Sequence, residues 1–391
     1  MNAPPSSLPV PRGPADLTAS WLNQVLAGRL PEVSDVEVVD DLFQGMMAEV
    51  FRLRLDYSDS LPDSPSDSVA DSSRGADAAE DAPATLIAKV ASRNEAMRLR
   101  PQTISNTSKE VGFYRELVGF LGERGVASQA AAGVPPVPWC YYGAVEAETG
   151  HQILLLEDLA PALPRPEGCT LTEARLAVRA LAAFHGRWWG QDLSRFDWLP
   201  PPVVPEAERI AALFSSAWPT FQAAAGPRLP KDMTAYGERL GRQFAELMER
   251  LLIEAPVTLR HGDYSLSNLL FPTPAGGRFA IIDWAGIGQG KGAWDLAWLL
   301  GQSFPVESRR AWEAELLTCY REGLIAAGVQ DYSAESLLSD YRLAIAQRFG
   351  TIISSVVALP FTAAQKEKIL DEQLPRNLAA IADHGGLRLL D

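Results

Sequence analysis

The spacing of apolar residues differs between the first 160 residues of the chain and the rest. In the first part, short apolar runs and alternating positions predict strands, because successive strand side chains point to opposite faces. These runs lie at 36–39, 49–55, 85–90, 139–142 and 152–156. Helical spacing occurs there only from Asp16 onward and across 108–117.

The second part has the spacing of packed helices, and Thr170 with Glu173 forms the capping-box pattern that begins the first of them. The predicted helices lie at 170–189, 205–225, 233–254, 293–302, 308–327, 334–356 and 363–383. A strand-rich part followed by a helical part predicts an α+β fold, and 391 residues are enough for two lobes with separate cores.

Three short strand patterns interrupt the helices, at 257–259, 268–271 and 278–282. Three polar residues stand at their ends, namely Asp263, Asn268 and Asp283. An aspartate and an asparagine five residues apart can share one loop, and the second aspartate can meet them at the end of the following hairpin. Such a cluster suits phosphoryl transfer, in which one carboxylate accepts a hydroxyl proton while an amide oxygen and another carboxylate hold Mg²⁺.

The alternative is that these residues only satisfy turns, since aspartate and asparagine are common turn residues. For any one of the three residues considered alone, a role in a turn and a role in catalysis are equally plausible interpretations. The three together, with Asp283 behind a strand, favour a site. His261 is interpreted as a residue that orients the loop by hydrogen bonding rather than as a proton carrier.

The composition is that of an ordinary globular protein, with 47% hydrophobic and 21% charged residues. Half of the formal charge of −14 comes from residues 56–81, which carry eight acidic residues and one basic residue. The remaining charge disfavours nucleic-acid binding, and no apolar stretch approaches the roughly 20 residues of a membrane helix. Three scattered cysteines and the lack of a visible signal peptide predict a cytoplasmic location.

Two segments lack the apolar residues that a core needs. Residues 1–14 are rich in proline and predicted to be a flexible arm. Residues 58–83 consist mainly of Ser, Asp, Ala and Pro, and we expect a disordered acidic insert there.

The residues from His261 to Trp284 read H-G-D-x-x-x-x-N followed by I-D-W, and W-D-L-A follows at Trp294. This ordered set resembles the aminoglycoside phosphotransferase and choline kinase superfamily. The run A-x-F-H-x-x-W-W that ends at Trp189 resembles its ecdysteroid-kinase-like (CHK-like) branch. The resemblance implies a two-lobed protein-kinase-like fold, with a small β-rich N-lobe at 15–159 and a larger helical C-lobe at 160–391. It also implies that the D-L-A segment braces the catalytic loop.

The resemblance assigns Asp263 as the catalytic residue and Asn268 and Asp283 as the Mg²⁺ ligands. Lys89 resembles the lysine that contacts the nucleotide phosphates, and Glu110 the helix glutamate that pairs with it. Glu116 is the alternative partner, although it falls on a different helix face.

Two further nucleotide-binding positions come from the same resemblance. Gly45 lies where the family has its phosphate-covering loop, and a plain hairpin turn is an equally good interpretation. The run Glu157-Asp158-Leu159 resembles the hinge, where backbone groups of Glu157 and Leu159 would pair with adenine.

The predicted function is transfer of the γ-phosphate of ATP to a hydroxyl group of a small molecule, with ATP and Mg²⁺ as cofactors. A protein kinase is the near alternative, but the three-glycine loop and an A-P-E-like segment are missing. A non-catalytic nucleotide-binding or scaffold protein would not need these polar residues. A metal-dependent hydrolase would need more ligands than the four histidines offer.

The acceptor and the oligomeric state are not specified by any pattern. Eight aromatic residues between 184 and 221 either line an apolar acceptor pocket or pack between helices. The glycine-rich run 286–292 lacks P-loop spacing, and it is interpreted as a flexible loop beside the active site.

Overall fold

The structure is a computed structural model that describes residues 8–44, 48–58, 82–118 and 135–386. The chain divides into two compact units. Within the described residues, the first unit comprises 8–118 and Pro138–Leu159, and the second comprises 135–137 and 160–386. Gly45 and residues 59–81 of the acidic insert lie outside the described residues, so both remain predictions.

The first unit is built on a five-stranded antiparallel sheet in the order β1-β2-β3-β5-β4. Its strands are β1 (Val33–Gln44), β2 (Ala48–Tyr57), β3 (Thr85–Ala91), β4 (Cys140–Glu146) and β5 (His151–Glu157). All five strands were predicted, and each is longer than its apolar pattern by up to several residues. The central strand β3 places Lys89 opposite Val50 on one side and Leu154 on the other.

In the described part of the first unit, three α-helices accompany this sheet: α1 (Ala19–Val25), α2 (Glu95–Arg98) and α3 (Pro101–Gly112), the last continued by a π-helical stretch at Phe113–Val118. Residues 8–14 differ from the predicted flexible arm. Leu8 and Val10 pack against the apolar core of the unit, and the Pro9 carbonyl accepts a hydrogen bond from Trp21 Nε1. These contacts join this part of the predicted arm to the core of the first unit.

The second unit is mainly helical. Its helices are α4 (Leu171–Trp188), α5 (Val204–Ala225), α6 (Lys231–Leu252), α7 (Ala293–Trp298), α8 (Val306–Ala326), α9 (Ala334–Val357), α10 (Ala363–Lys368) and α11 (Leu374–Asp383). The predicted capping box at Thr170 and Glu173 is present, with both reciprocal hydrogen bonds. The helix predicted at 293–302 ends in a π-helical turn at Leu299–Ser303, and the one predicted at 363–383 is interrupted by another at Ile369–Gln373.

The helical unit contains the predicted hairpin region as two small antiparallel sheets. β6 (Thr258–Arg260) pairs with β9 (Gly288–Gly290), and β7 (Leu269–Leu270) pairs with β8 (Ala280–Ile281). Residues 135–137 also belong here, although they were predicted to be part of the N-lobe. Backbone hydrogen bonding from Ile281 to Pro136, at 2.7 Å, holds them to β8.

The glycine-rich run 286–292 is not the flexible loop that the sequence suggested, because β9 occupies its middle and is largely buried. Its glycines permit close packing. A Cβ atom on Gly290 would lie 2.8 Å from the Leu251 carbonyl oxygen, and one on Gly292 would lie 2.6 Å from His185 Nδ1. Among the described residues, no helix combines the length and apolar character needed to cross a membrane.

Candidate active site

Asp263 and Asn268 are held together by the loop between β6 and β7. The Asp263 carbonyl accepts hydrogen bonds from the Ser265 amide and from Asn268 Nδ2, both at 2.9 Å. A carbonyl oxygen only accepts, so this contact fixes the amide group of Asn268 with its Oδ1 turned away from that carbonyl. A short 3₁₀ turn at Leu266–Asn268 closes the loop.

Asp283 is brought to this loop by the residue before it. The Ile282 amide donates to the Asn268 carbonyl at 3.0 Å, and the Ile282 carbonyl accepts from His261 Nε2 at 3.0 Å. Asp283 itself has φ 62° and ψ 67°, in the left-handed region that non-glycine residues seldom adopt. Aspartate tolerates this conformation better than most residues, and such outliers cluster at active sites.

His261 has the structural role that the sequence suggested. Its Nδ1 accepts from the Asp263 amide at 3.2 Å, so Nε2 is the protonated nitrogen that donates to Ile282. The ring is buried and packs against Trp284, with centroids 4.6 Å apart. Burial lowers the pKa of His261, which keeps the imidazole neutral and in this tautomer.

Asp295, in the first turn of α7, holds the backbone of the same loop by hydrogen bonds. Its carboxylate accepts from the amides of His261 at 2.6 Å and Gly262 at 2.8 Å, and from His185 Nε2 at 3.1 Å. Burial disfavours its charge, but the His185 hydrogen bond and nearby cationic groups hold the pKa of Asp295 below its usual value. His185 also contacts the Tyr320 hydroxyl at 2.6 Å, so it is a buried histidine with a partner at each ring nitrogen.

Gly262 is required by this packing. Its φ is +87°, and a Cβ atom there would lie 2.0 Å from the Gly286 carbonyl oxygen. Both the conformation and the close approach exclude a side chain.

Asp263 is a partly exposed carboxylate, and its pKa is raised to about 7. Desolvation is the largest cause, and the negative charge of Asp283 adds to it. Arg348 and the Asn268 side chain act in the opposite direction. A carboxylate poised near neutral pH is suited to act as a general base.

In the first unit, Lys89 pairs with Glu110 rather than with Glu116. The distance from Lys89 Nζ to Glu110 Oε1 is 2.7 Å, and the Glu110 side chain is 1% exposed. Glu116 instead contacts its neighbour Arg115.

The predicted hinge lies at the end of β5. The Glu157 side chain accepts from the Trp139 amide at 3.0 Å, and Leu159 is buried. Asp158 between them is held by Arg52 Nε at 2.6 Å. These contacts give the segment a defined conformation within the first unit.

The aromatic residues between 184 and 221 pack mainly with one another and with neighbouring helices. Phe214, Trp218 and Phe221 stack in series, and Trp218 meets Phe349 of α9 edge-on. Phe184 packs on Trp284 with centroids 5.1 Å apart. Of the two interpretations that the sequence left open, these contacts favour core packing.

Two features of the second unit were missed from the sequence. Tyr320 contacts His185, which in turn contacts Asp295 below the catalytic loop, and the sequence around Tyr320 did not indicate this contact. Arg348 lies in the apolar run 343–353 of α9, and a charged residue within a buried helix was a signal available in the sequence.

The side chains of Asn268 and Asp283 fit the requirements of a divalent-cation site. Both supply the oxygen donors that Mg²⁺ prefers, and Asn268 Oδ1 is not committed to the Asp263 carbonyl. Mg²⁺ is commonly bound by one or two protein side chains together with phosphate oxygens and water, so two residues are sufficient. No group of three or more His, Cys, Asp or Glu side chains is placed to hold a metal in the described part of the chain.

The antiparallel sheet of the first unit and the braced loop and hairpin of the second define the class of kinase-like phosphotransferases. The chain belongs to the APH phosphotransferase enzyme family, whose sequence profile matches residues 89–337, more than half of its length. No curated protein sequence matches the chain.

Solved structures share the fold at low sequence identity. One is a protein from Ralstonia eutropha JMP134 that has been assigned provisionally as an aminoglycoside phosphotransferase. It is 16% identical to this chain, with 95% of this chain and 96% of that chain covered and a TM-score of 0.51. The GDP complex of wild-type aminoglycoside 2′-phosphotransferase-IIIa is 13% identical, with 93% of this chain and 97% of that chain covered and a TM-score of 0.50. At these identities the likeness supports the fold alone.

Proposed function

We propose that this phosphotransferase moves the γ-phosphate of ATP to a hydroxyl group of a small molecule, with Mg²⁺ as the metal. The observation that carries the proposal is the joined loop that holds Asp263, Asn268 and the residue preceding Asp283 by direct hydrogen bonds. The pairing of Lys89 with Glu110 in the first unit gives independent support.

In the proposed reaction the acceptor oxygen attacks the γ-phosphorus, a new O–P bond forms, and the bond to the β-phosphate oxygen breaks. Asp263 aligns the hydroxyl and takes its proton, and the products are a phosphate ester and ADP. Asn268 and Asp283 would hold Mg²⁺, which neutralises phosphate charge when bound. Positioning and electrostatics supply most of the rate enhancement.

Lys89 would contact the nucleotide phosphates, with Glu110 holding its side chain extended. The backbone at Glu157 and Leu159 would pair with the adenine base, and Gly45 would belong to the loop over the phosphates. Because a related fold was solved with GDP, GTP has to be tested beside ATP.

The resemblance to the CHK-like branch favours a small hydroxylated acceptor over a protein. We further propose a cytoplasmic enzyme, since all three cysteines are free thiols.

The experiment is a measurement of ADP release with Mg·ATP, or of GDP release with Mg·GTP, against aminoglycosides, choline, sugars, sterols and hydroxy acids. Asp263→Asn serves as the blank, because the amide keeps the size of the side chain and cannot take the proton. Asp283→Asn is the matched variant, and it should weaken metal–nucleotide binding, whereas Asp263→Asn should leave binding nearly intact.

A turnover that is lost in Asp263→Asn would support the proposal and identify the acceptor class. Absence of both turnover and nucleotide binding would refute it and favour a scaffold protein. Loss of nucleotide binding in Asp263→Asn would show that Asp263 has a different role.

A further inference from the structure

A serine outside the catalytic loop holds the turn that carries Asn268. The first amide of the 3₁₀ turn Leu266–Asn268 lies outside the hydrogen bonds of the turn itself, as at the start of any helix. Ser265 stands at the N-cap position, but its side chain makes no capping hydrogen bond. Ser303 Oγ instead accepts from the Leu266 amide at 3.4 Å, although it lies 37 residues away in the chain. The cap of this turn is therefore supplied by a distant part of the fold.

The hydroxyl of Ser303 is aimed by the π-helical turn at Leu299–Ser303, a distortion that is frequent at functional sites. The hydroxyl donates to the Trp298 carbonyl, five residues earlier, at 3.3 Å. In a regular α-helix a serine hydroxyl reaches back three or four residues, so this contact uses the wider π-helical spacing. A hydroxyl has one hydrogen and two acceptor lone pairs. Because the hydrogen is directed at Trp298, a lone pair is left for the Leu266 amide.

The backbone of this π-helical turn is fixed from α11. Arg376 Nη1 donates to the carbonyls of Ser303 at 2.9 Å and Gln302 at 3.4 Å. The side chain of Gln302 is in turn hydrogen-bonded to Gln373. Ser303 is 8% exposed and Leu266 is 1% exposed, so water does not readily replace the bond between them.

The same turn sets where the Asn268 side chain lies. The Asn268 amide donates to the Ser265 carbonyl at 2.9 Å, which closes the turn, and its Nδ2 donates to the Asp263 carbonyl. The Leu266 carbonyl accepts from the Arg165 amide at 3.2 Å. Both backbone polar groups of Leu266 are therefore bound to segments outside the loop. A turn of three residues that is anchored at its first residue has little freedom at its last.

We propose that Ser303 is a positioning residue for metal binding, whose hydroxyl holds the turn so that Asn268 Oδ1 is presented to Mg²⁺. The inference rests on the proposed function, because it takes Asn268 as a metal ligand. Without the hydroxyl, the buried Leu266 amide is left unpaired, and the turn shifts to pair it. Mg²⁺ demands near-ideal octahedral geometry, so a small displacement of a ligand oxygen lowers its affinity.

The first test is calorimetric binding of ADP, or of GDP if that binds more tightly, to the full chain. The Mg²⁺ advantage is defined as the dissociation constant in EDTA divided by that in Mg²⁺. Ser303→Ala should reduce this advantage about three- to tenfold, as expected for the loss of one neutral hydrogen bond, and should leave binding in EDTA unchanged.

Two further substitutions at the same position separate the hydrogen bond from packing. Ser303→Cys fills nearly the same volume with a weak acceptor, so it should lose the Mg²⁺ advantage as the alanine variant does. Ser303→Thr keeps the hydroxyl and should keep the advantage. The cysteine variant also guards against a folding defect caused by a cavity in the alanine variant.

Ser333→Ala is the matched control. Ser333 Oγ also accepts a backbone amide, that of Ser336 at 3.0 Å, at the start of α9. This variant should lower the melting temperature by a similar amount and keep the Mg²⁺ advantage. Hydrogen exchange of the free protein needs neither metal nor nucleotide. The Leu266 amide should exchange at least about threefold faster in Ser303→Ala than in the wild type or in Ser333→Ala.

A double-variant cycle tests whether Ser303 acts through Asn268. Asn268→Ala should itself remove the Mg²⁺ advantage. Adding Ser303→Ala to it should then cause no further loss, because the two residues contribute to one interaction.

A Mg²⁺ advantage that survives Ser303→Ala, an equal loss in Ser333→Ala, or a further loss in the double variant would each overturn the inference. A cysteine variant that keeps the advantage would also overturn it, because the alanine effect would then come from the cavity. Unchanged exchange of the Leu266 amide would do the same. A wild type without any Mg²⁺ advantage would refute the proposed metal site and this inference with it, whereas the other outcomes leave that site standing.

Discussion

The raised pKa of Asp263 predicts that the proposed base lowers the stability of its own unit. Its pKa is about 7 in the folded chain against an ordinary value of 3.8, because burial and Asp283 disfavour the charged form. At a pH between 3.8 and about 7, the Asp263 carboxyl is mostly protonated in the folded state and mostly ionised in the unfolded state. Stability contributed by this group is therefore present at low pH and is lost as the pH rises toward 7.

The magnitude follows from the size of the shift. About three pKa units correspond to about 4 kcal/mol at most, and structural relaxation around a partly exposed side chain reduces this to about 1–3 kcal/mol. Asp263→Asn keeps the shape and cannot ionise. The variant should therefore unfold at higher urea concentration than the wild type at about pH 8, with a difference that shrinks toward about pH 4.5.

The assay is urea unfolding in EDTA without nucleotide, followed by tryptophan fluorescence. All ten tryptophans except Trp21 and Trp139 lie in the second unit, so the signal reports mainly on the unit that contains Asp263. Asp331→Asn, at an exposed position of the same unit, controls for the loss of one charge. A wild type more stable than the variant at about pH 8, or a gain that does not change with pH, would refute the reasoning.

Three further substitutions test the rest of the site. Lys89→Met should lower the free energy of unfolding by about 3 kcal/mol and abolish transfer, because it removes the ammonium group that pairs with the buried Glu110 carboxylate. Gly262→Ala should cost at least about 2 kcal/mol and reduce kcat strongly, since its Cβ meets a backbone oxygen. Asp295→Asn should lower kcat more than it raises KM, because an amide cannot accept both loop N–H groups as the carboxylate does.

Each of these predictions has a control. Lys89→Arg keeps the charge and should keep most of the stability, and equal losses in Lys89→Met and Lys89→Arg would contradict an electrostatic role. Gly328→Ala has a similar positive φ but no atom within 4 Å, so a loss as large as that of Gly262→Ala would show that the close approach is irrelevant. An Asp295→Asn enzyme with normal kcat would mean that the brace is not needed for turnover.

Much of this protein can be predicted from local pattern. Short apolar runs and alternating positions identified every strand of the first sheet, and the capping box at Thr170 marked the start of α4 correctly. The spacing of Asp263, Asn268 and Asp283 indicated phosphoryl-transfer chemistry, because each residue follows or begins a short strand and the hairpin returns the chain to the same place. These signals are local, so they survive without an alignment or a structure.

Other features depend on residues far apart in the sequence. The run 286–292 reads as a loop because glycine has no strand preference, yet β9 pairs with β6, and a Cβ atom on Gly290 would lie 2.8 Å from the Leu251 carbonyl oxygen. The contact of His185 with Tyr320 and Asp295 joins α4, α8 and α7. No spacing rule relates these positions.

The sequence by itself determined the fold class, the ordered catalytic pattern and the candidate residues, since strand period, capping and motif spacing are local properties. Only the tertiary structure decided which charges are compensated. It paired Lys89 with Glu110, raised the pKa of Asp263 and left Nη1 of Arg348 buried without a hydrogen-bond partner. Desolvation and long-range charge depend on everything packed around a group, and a linear pattern does not contain that information.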